Sequence, residues 1–561
     1  MKHTYTTLIL LAACLTLQAK APKFLTKSRA AQVTVIATDA SGTLHEAQGV
    51  FVSADGQIVT DYDALKGAVK ATVIGANGRE WSVRYVLGAN SMYNVARICV
   101  SLTEKEKVEF LTPATQSATA GTPVFVLPNA KADKKALATT DTIAAAEKFR
   151  ETYDYYTLSH ELSERQAGCP VLNEAGELVG LVQLATKSGQ NSYAIGARFA
   201  TDLSIAAIDA GNNDLRSIQL QKRLPDGEQA AASYIFLLSG KDRDSTQYMA
   251  YVDDFIRLYP ASASGYVMRA EAQAAAGNLQ AALEAYNTGL AQPGVAADEL
   301  HFSLSKTIYG LNQNPNYETF QDWTLEKSVE EAAAAYKVNA LPVYLNQEAH
   351  ALYAAKKYSE ACEKFLALTK TNLRTPELFL YAAQCLQMQE GTPADTLIAL
   401  QDSAVNCYSR PYPREAATAI LMRATTLEKA GRTRDAIRDL NEYEHLTGNL
   451  NANFYYEREQ MEVKCRMYPA AMNDIERAIR LAPTEPLYYA ECAALNYRVG
   501  QTDDAMHYAE KAIELAPDYA DAYRILGVCL HDKGKPEARK YLQKAVELGD
   551  KLAQNVLDKM K

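Results

Sequence analysis

Hydrophobic residues follow two different patterns along the 561-residue chain. From residue 30 to 208 they form short runs rich in β-branched residues, such as QVTVIATD and GVFVSADGQIVT, which are separated by Gly, Asn and Asp. Several short strands with regular turn signals indicate a β-sandwich or barrel. From residue 230 to 561 the pattern is that of paired helices. The stretch 209–229 is polar, contains Gly and Pro and shows no strand pattern, so it is predicted to be a linker.

A repeat of 34 residues runs through the helical region. Residues of one type recur at this spacing: Tyr455, Tyr489 and Tyr523; Ala471 and Ala505; Pro483 and Pro517. Small residues are needed where two antiparallel helices approach closely, and Pro ends the second helix. The pattern resembles the tetratricopeptide repeat. It predicts an α-solenoid of about nine helix pairs, the last of which, around GKPEARKYLQKA, is a candidate cap.

Solenoids of this kind bind peptides or protein partners, with no fixed chemistry. The first helix of each pair lines the concave wall, and repeat register selects the candidates for partner binding. They are Asn346, His350, Tyr353, Tyr456, Gln460, Lys464, Tyr497, Arg498 and Arg524. The alternative is an ordinary solvated face. No regular row of Lys and Asn suggests a clamp for a carboxylate, and the tyrosines favour a mixed aromatic and polar groove for an extended peptide.

Four segments of the N-terminal region resemble, in order, those of trypsin-like, Deg-type serine proteases. GVFVSADGQIVTDYDAL is similar to the segment G-x-G-F-x-x-x-x-x-G-x-x-x-T-N-x-H-V, and LGANSMYNVARICV to the strand that carries the triad aspartate. RQAGCPVLNEAGELVGLVQ is similar to the nucleophile loop G-N-S-G-G-P, and NSYAIGARFATDL to the closing strand and helix. The resemblance implies a double β-barrel at 30–208. Its fusion to repeats resembles exported Bacteroidetes-type trypsin-like/tetratricopeptide proteins.

All three triad positions differ from those of the proteases that the segments resemble. Asp63 stands at the histidine position, Asn94 at the aspartate position and Ala167 at the serine position. The mechanism needs a hydroxyl nucleophile, an imidazole that accepts its proton and a carboxylate that orients the imidazole. Loss of the serine or the histidine alone lowers turnover by roughly a millionfold. The sequence therefore predicts a pseudoprotease that is not an enzyme.

The loop that would stabilise an oxyanion is also altered. Its donors would be the backbone N–H groups of Arg165 and Ala167, and Arg165 replaces a glycine whose freedom this turn uses. Gly168 is kept, whereas Cys169 replaces the last glycine. A rearranged nucleophile remains an alternative, with Cys169 and His160 as a conceivable dyad. A purely structural envelope protein is a third hypothesis.

The N-terminus and the charge restrict where the protein acts. The apolar run from Leu8 to Leu17 is too short to span a bilayer, so 1–19 is predicted to be a cleaved signal peptide. The alternative is a lipoprotein box, LAAC, with lipidated Cys14. Either way the protein is expected to be exported, to the periplasm or beyond, or held there by a lipid anchor. No later segment is apolar enough to be transmembrane. The net charge of −9 makes nucleic acid an unlikely partner.

The remaining cysteines are scattered and form no CxxC, which argues against a zinc site. Most are expected to be small buried side chains. One disulfide is possible in an oxidising compartment, and Cys385–Cys407 is the preferred pair. No metal or cofactor motif is present, and none is expected. The preferred function is binding of a protein or peptide by the solenoid, with cell-envelope scaffolding as a setting.

Overall fold

The computed structural model describes residues 23–132, 136–184, 190–242, 246–448 and 450–560. The predicted signal peptide at 1–19 and the candidate lipid anchor Cys14 lie outside the described residues. The chain divides into two compact units, Met1–Ala296 and Ala297–Lys561. Across the described ranges, no helix combines the length and the apolar character that a membrane crossing requires.

Two closed six-stranded antiparallel barrels form the N-terminal part of the first unit, in the order β1-β2-β3-β6-β5-β4 and β10-β11-β12-β9-β8-β7. A short helix α1 (Lys23–Ala30) precedes them. The strands are β1 (Gln32–Asp39), β2 (Leu44–Phe51), β3 (Gln57–Thr60), β4 (Ala68–Gly75), β5 (Glu80–Asn90), β6 (Val95–Val100), β7 (Pro123–Val126), β8 (Thr139–Phe149), β9 (Tyr153–Leu158), β10 (Pro170–Leu172), β11 (Leu178–Gln183) and β12 (Tyr193–Gly196). The fold class expected from the short β-branched runs is confirmed.

Alternation along the strands explains why each sheet closes around its own core. On β1, Val33, Val35 and Ala37 share one face and are completely buried, because successive side chains of a strand point to opposite sides. In the second barrel, Val124 and Val126 of β7 play the same part. Closure leaves neither sheet with an unpaired edge.

The segment expected to be a polar linker packs on the first barrel. After α2 (Ala197–Asp202) the chain forms a 3₁₀ turn at Ala207–Gly211 and the short helix α3 (Asn213–Ser217). Lys222 then lies beside Val86 of β5 as an isolated parallel bridge, and Ile218 is completely buried. This stretch therefore joins the barrel core, and apolar residues spaced within a polar sequence are what hold it there.

Four helices complete the first unit, and apolar residues of the first three extend the core of the first barrel. They are α4 (Glu228–Asp242), α5 (Thr246–Leu258), α6 (Ala263–Ala275) and α7 (Leu279–Leu290). Tyr234, Tyr251 and Phe255 belong to the same buried cluster as Val35 and Ile58 of the barrel. On the surface beside it, the hydroxyl of Tyr85 donates to the carboxylate of Asp254, at 2.8 Å.

The second unit is helical throughout its described residues, and successive helices pack against each other. They are α8 (Ala297–Asn312), α9 (Leu325–Val338), α10 (Pro342–Ala354), α11 (Tyr358–Leu368), α12 (Pro376–Gln387), α13 (Ala394–Val405), α14 (Ala417–Lys429), α15 (Thr433–Thr447), α16 (Ala452–Lys464), α17 (Tyr468–Leu481), α18 (Pro486–Arg498), α19 (Thr502–Leu515), α20 (Ala520–Asp532), α21 (Ala538–Glu547) and α22 (Lys551–Lys559). Gly431 and Gly500 have φ values of 73° and 83° in the turns within pairs, where glycine is the residue that adopts this conformation without strain.

The eight cysteines of the described residues are free thiols, and the preferred pair Cys385–Cys407 is not bridged. Cys385 is buried in the core that α12 shares with α10 and α11. Cys407 is exposed beyond the end of α13, where its thiol donates to the carbonyl of Ser403 at 3.3 Å. Their separate surroundings, one apolar and one solvated, explain why the preferred pair is not bonded.

Candidate functional site

Asp63 and Asn94 meet at the mouth of the first barrel. Asp63 begins a 3₁₀ turn, Asp63–Leu65, directly after β3, and its side chain is exposed. The backbone N–H of Asp63 donates to Oδ1 of Asn94 at 2.9 Å. Asn94 closes the turn between β5 and β6 with a φ of 40°, a left-handed conformation that asparagine tolerates better than most residues. The fold therefore brings the two positions together through a backbone-to-side-chain bond.

Ala167 lies in the loop before β10, and its N–H group is already used. The 3₁₀ turn Glu164–Gln166 precedes it, and the N–H of Ala167 donates to the carbonyl of Glu164 at 3.1 Å. Oxyanion stabilisation depends on donors that are aimed at the developing charge. A ligand at this position would have to displace an existing hydrogen bond. Arg165 is the second residue of this turn, and its side chain is exposed to solvent.

Asp61 is a residue of this site that the sequence analysis did not select. Its carboxylate lies against Gly168, where an added Cβ would come within 3.0 Å of Asp61 Oδ2. Gly168 has a φ of 70°, so both conformation and space favour glycine there. Asp61 receives no hydrogen bond from the residues that the structure describes, and burial, with the charge of Asp63, raises its pKa to about 7. The sequence contained a signal for this residue, because the protease motif T-N-x-H has asparagine at the position where this chain has Asp61.

Cys169 and His160 are each engaged elsewhere. Cys169 is completely buried, and its thiol donates to the carbonyl of Arg165 at 3.9 Å. Burial, with the charge of Asp61, raises the pKa of the Cys169 thiol to about 12. His160 places Nδ1 at 2.8 Å from the buried carboxylate of Asp141. A thiol nucleophile requires the thiolate, which this environment disfavours.

The three positions that align with a protease triad carry other side chains in this protein. Asp63, Asn94 and Ala167 supply a carboxylate, an amide and a methyl group, and the neighbouring Asp61 is poised to carry a proton near neutral pH. Within the described parts of the chain, no three His, Cys, Asp or Glu side chains gather in a way that would hold a metal ion.

Comparison with known proteins gives two separate matches. Residues 47–181 match the family model of the trypsin-like peptidase domain, a range that contains positions 63, 94 and 167. Residues 493–553 match the tetratricopeptide repeat model. The chain joins a trypsin-like peptidase domain to tetratricopeptide repeats. Its first part is protease-like in fold, and its second part is of a kind that generally mediates protein interactions.

Two curated relatives that match part of the chain are named for tetratricopeptide repeats. Small glutamine-rich tetratricopeptide repeat-containing protein 2 of Saccharomyces cerevisiae is 39% identical over 70 residues, which is 12% of this chain and 20% of that protein. The protein of the same name from Mycosarcoma maydis is 37% identical over 82 residues, 14% of this chain and 23% of that protein. The chain thus spans less than a quarter of the length of these relatives.

Two solved protease structures each cover about a third of the chain. An HtrA-type protease, AlgW, solved with a tripeptide, is 18% identical with a TM-score of 0.27, covering 32% of this chain and 60% of that chain. A serine endoprotease from Yersinia pestis is 19% identical with a TM-score of 0.27, covering 32% and 62%.

The candidate partner-binding residues of the tetratricopeptide region fall into two groups. On α10, Asn346 is half-buried, and the His350 ring packs against Phe365 and Tyr381 at 5.2 and 4.9 Å. Tyr353 packs against the same Tyr381 at 5.9 Å. The aromatic members of this group therefore serve the packing between α10, α11 and α12.

The second group lies on α16, α18 and α20. Lys464 is exposed and pairs with Glu428 at 3.7 Å, and the Tyr497 hydroxyl donates to Asp532 at 2.7 Å. Arg524 binds Asp550 through Nε at 2.6 Å and Asp521 through Nη2 at 2.5 Å.

Tyr456, Gln460 and Arg498 stand close to two acidic residues that the sequence analysis did not select, Glu459 and Glu491. The repeat pattern contained a signal for Glu459. Its equivalents 34 and 68 residues later are Ala493 and Gly527, so a charged residue occupies a position at which the neighbouring repeats have small ones.

Proposed function

We propose that the protein is an exported, non-catalytic binding protein. The double β-barrel keeps the peptidase fold without hydrolysing peptide bonds, and the tetratricopeptide solenoid binds a protein or an extended peptide. Cell-envelope scaffolding is the setting that this architecture favours. The predicted leader at 1–19, with Cys14 as the alternative lipid anchor, supplies the route of export.

One observation supports this proposal: Asp63 contacts Asn94, the loop of Ala167 and Gly168 lies against the neighbouring Asp61, and none of Asp63, Asn94 and Ala167 is the residue that the protease motif has at its position. The Asp63 N–H donates to Asn94, so these loops are ordered by contacts of their own. The Ala167 N–H is bonded to Glu164. Replacing a serine nucleophile alone removes about 8 kcal/mol of transition-state stabilisation in such enzymes, and here the general base and its orienting carboxylate are replaced as well.

The active alternative, a peptidase with a rearranged nucleophile, depends on Cys169. Its thiol is buried and has a raised pKa, and His160 is held by Asp141. A cysteine peptidase instead keeps its thiol partly exposed, close to a positive charge. The surroundings of Cys169 thus favour the non-catalytic proposal.

Hydrolysis of casein and of a peptide library by the purified mature protein tests the proposal, with Cys169→Ala as the matched variant and trypsin as the positive control. We expect no turnover above the buffer blank in either form. Turnover that Cys169→Ala abolishes would establish a cysteine peptidase. Turnover that survives Cys169→Ala would establish another nucleophile, and either result would overturn the proposal.

A further inference from the structure

Three first helices of consecutive repeats, α16, α18 and α20, bring acidic and aromatic side chains together. We call this set the acidic–aromatic cluster and define it as Tyr456, Glu459, Gln460, Glu491 and Tyr519. The Tyr456 ring packs at 5.5 Å from that of Tyr488 on α18, and α18 packs against α20. The cluster thus belongs to the inner helices of the solenoid, where the repeat register places a partner.

Glu459 is the buried centre of the cluster. It is 1% exposed. One carboxyl oxygen accepts a hydrogen bond from Gln460 Nε2 at 2.7 Å, and the other has no donor among the described residues. Burial and the charge of Glu491 raise the pKa of Glu459 to about 8. Burial also raises the pKa of Glu491. The carboxyl groups of Glu459 and Glu491 therefore lie within electrostatic reach of each other, and Glu459 is almost fully buried whereas Glu491 is half-buried.

The neighbouring cations leave this acidic pair without an ion-pair partner. Arg524 lowers the pKa of Glu491, but its guanidinium is held by Asp550 and Asp521. The charge of Arg498 partly offsets the raised pKa of both glutamates. Among the described residues, Arg498 forms no ion pair with either glutamate. Glu462 adds further negative charge next to Glu459, is 3% exposed and leaves its own Oε2 without a partner.

Aromatic rings flank the carboxyl groups. Tyr456 lies within electrostatic reach of both Glu459 and Glu491. Burial, with the charges of Asp521 and Glu491, raises the pKa of Tyr519 to about 12, so both phenols are neutral at physiological pH. Carboxylates combined with tyrosine rings suit an organic cation, which gains from charge and from the ring faces together. A divalent metal would instead require more oxygen ligands than this set presents.

We propose that the acidic–aromatic cluster binds the cationic side chain, lysine or arginine, of an extended segment of a partner protein. The inference rests on the proposed function, since it assigns the chemistry of the partner to the same solenoid face. It predicts that basic ligands bind better than acidic ones, the opposite of a carboxylate clamp. A ligand carboxylate would be repelled by Glu459 and Glu491. A bound ammonium or guanidinium would supply the donor that the second oxygen of Glu459 lacks.

Fluorescence anisotropy with defined probes tests the inference on the full mature chain. The probe is a fluorescein-labelled Gly-Ser peptide, acetylated and amidated, with lysine at every third position. Matched peptides carry arginine, norleucine or glutamate instead. We expect the lysine or the arginine peptide to bind at least about tenfold more tightly than the norleucine peptide, with the glutamate peptide weakest, and the preference to decrease as salt is added.

Variants then locate the site. Glu459→Gln combined with Glu491→Gln should remove the preference for the basic peptide, whereas Glu510→Gln, an exposed acid on the second helix α19, should keep it. Calorimetry in two buffers of different ionisation enthalpy should also show proton release on binding at pH 7, because a bound cation favours the ionised glutamates. The peptide comparison on the unaltered protein stands even if the double variant folds poorly.

Equal binding of the lysine, arginine and norleucine peptides, tighter binding of the glutamate peptide, or an undiminished preference in the double variant would overturn the inference. Lack of binding of both basic peptides up to about 1 mM would do the same. None of these results bears on catalysis. The proposed function fails separately, if casein or library peptides are hydrolysed.

Discussion

At the scale of single residues, the peptidase-like domain holds an acid, Asp61, beside the loop that contains Ala167 and Gly168. Asp61 lies against Gly168 and has no hydrogen bond from the described residues, and burial raises its pKa to about 7. Because the folded protein favours the neutral carboxyl, Asp61 contributes most to stability below its unfolded pKa near 3.8. That contribution is lost as the pH rises through 7.

Replacement of Asp61 by asparagine should therefore stabilise the protein in a pH-dependent manner. Relative to the unaltered protein, the stability of the variant should increase between about pH 4 and 7 and stay higher by a constant amount above pH 7, at most about 4 kcal/mol. Thermal unfolding from pH 4 to 9 measures this. Glu104→Gln, at an exposed acid of the same domain, is the control and should show no such trend. A constant difference across the pH range would mean that Asp61 is ionised in the folded protein.

Cysteine labelling should follow burial. Iodoacetamide at pH 8 should modify the exposed Cys407 first and leave Cys169 unmodified until the domain unfolds, because Cys169 is completely buried with a pKa of about 12. Peptide mapping by mass spectrometry measures both sites in one sample. Labelling of Cys169 as fast as Cys407 would show a reactive thiol and would revive the cysteine-peptidase alternative.

The sequence was sufficient to select some residues of the candidate site but not others, for physical reasons. Strand alternation and motif order were enough to select Asp63, Asn94 and Ala167, because both depend on local sequence. The neighbourhood of Asp61 and Gly168 joins two loops that are far apart in the chain, so its burial could not be read from either loop alone. The disulfide prediction for Cys385 and Cys407 was also based on their separation in the sequence. That separation does not show that the repeat core buries Cys385 and leaves Cys407 exposed.

At the scale of elements, two consecutive repeats each contain an equivalent arginine–aspartate ion pair between their two helices, which we call a clasp. Arg423 binds Asp439 through Nε and Nη2, both at 2.7 Å. Arg458 binds Asp474 in the same bidentate manner, at 2.6 and 2.9 Å. Each arginine lies on the first helix of a pair and each aspartate lies 16 residues later on the second. The 34-residue pattern predicted the helix pairs, but these clasps escaped it because Cys492 and Tyr508 interrupt them in the next repeat.

Breaking the second clasp should be costly. Asp474→Ala leaves Arg458 buried, and its remaining carboxylate partner Glu444 is more exposed. Removing one member of a buried pair typically costs about 3 kcal/mol or more. We expect a lower urea midpoint for the unfolding of the helical region by circular dichroism. Arg458→Met with Asp474→Leu should lose less than Asp474→Ala alone. An unchanged midpoint for Asp474→Ala would show that the clasp does not stabilise the pair.

At the scale of the whole molecule, the first compact unit includes more than its barrels. The stretch predicted to be a linker at 209–229 contributes side chains to the core of the first barrel, and α4 to α6 extend that core. Composition suggested a boundary near 208 because polar residues outnumber apolar ones there. Burial depends instead on a few spaced side chains, such as Ile218 and Leu220, which an average over the stretch conceals.

A chain that ends at residue 208 should accordingly be less stable than one that ends at 296. The shorter chain loses Ile218, Tyr234 and Phe255 from the barrel core, which exposes apolar surface on the barrel. We expect a lower melting temperature and stronger binding of a hydrophobic dye. Equal melting temperatures for the two chains would show that the barrels form an independent domain that ends at 208.

The most direct test of the central claim, a peptidase fold without peptidase chemistry, is intact-mass spectrometry after exposure to a fluorophosphonate. The purified mature protein and trypsin are treated side by side under the same conditions. With Ala167 at the serine position and the Ala167 N–H bonded to Glu164, the account predicts that trypsin is fully modified and that this protein keeps its unmodified mass. A stoichiometric adduct on this protein would reveal an activated nucleophile and would contradict the account.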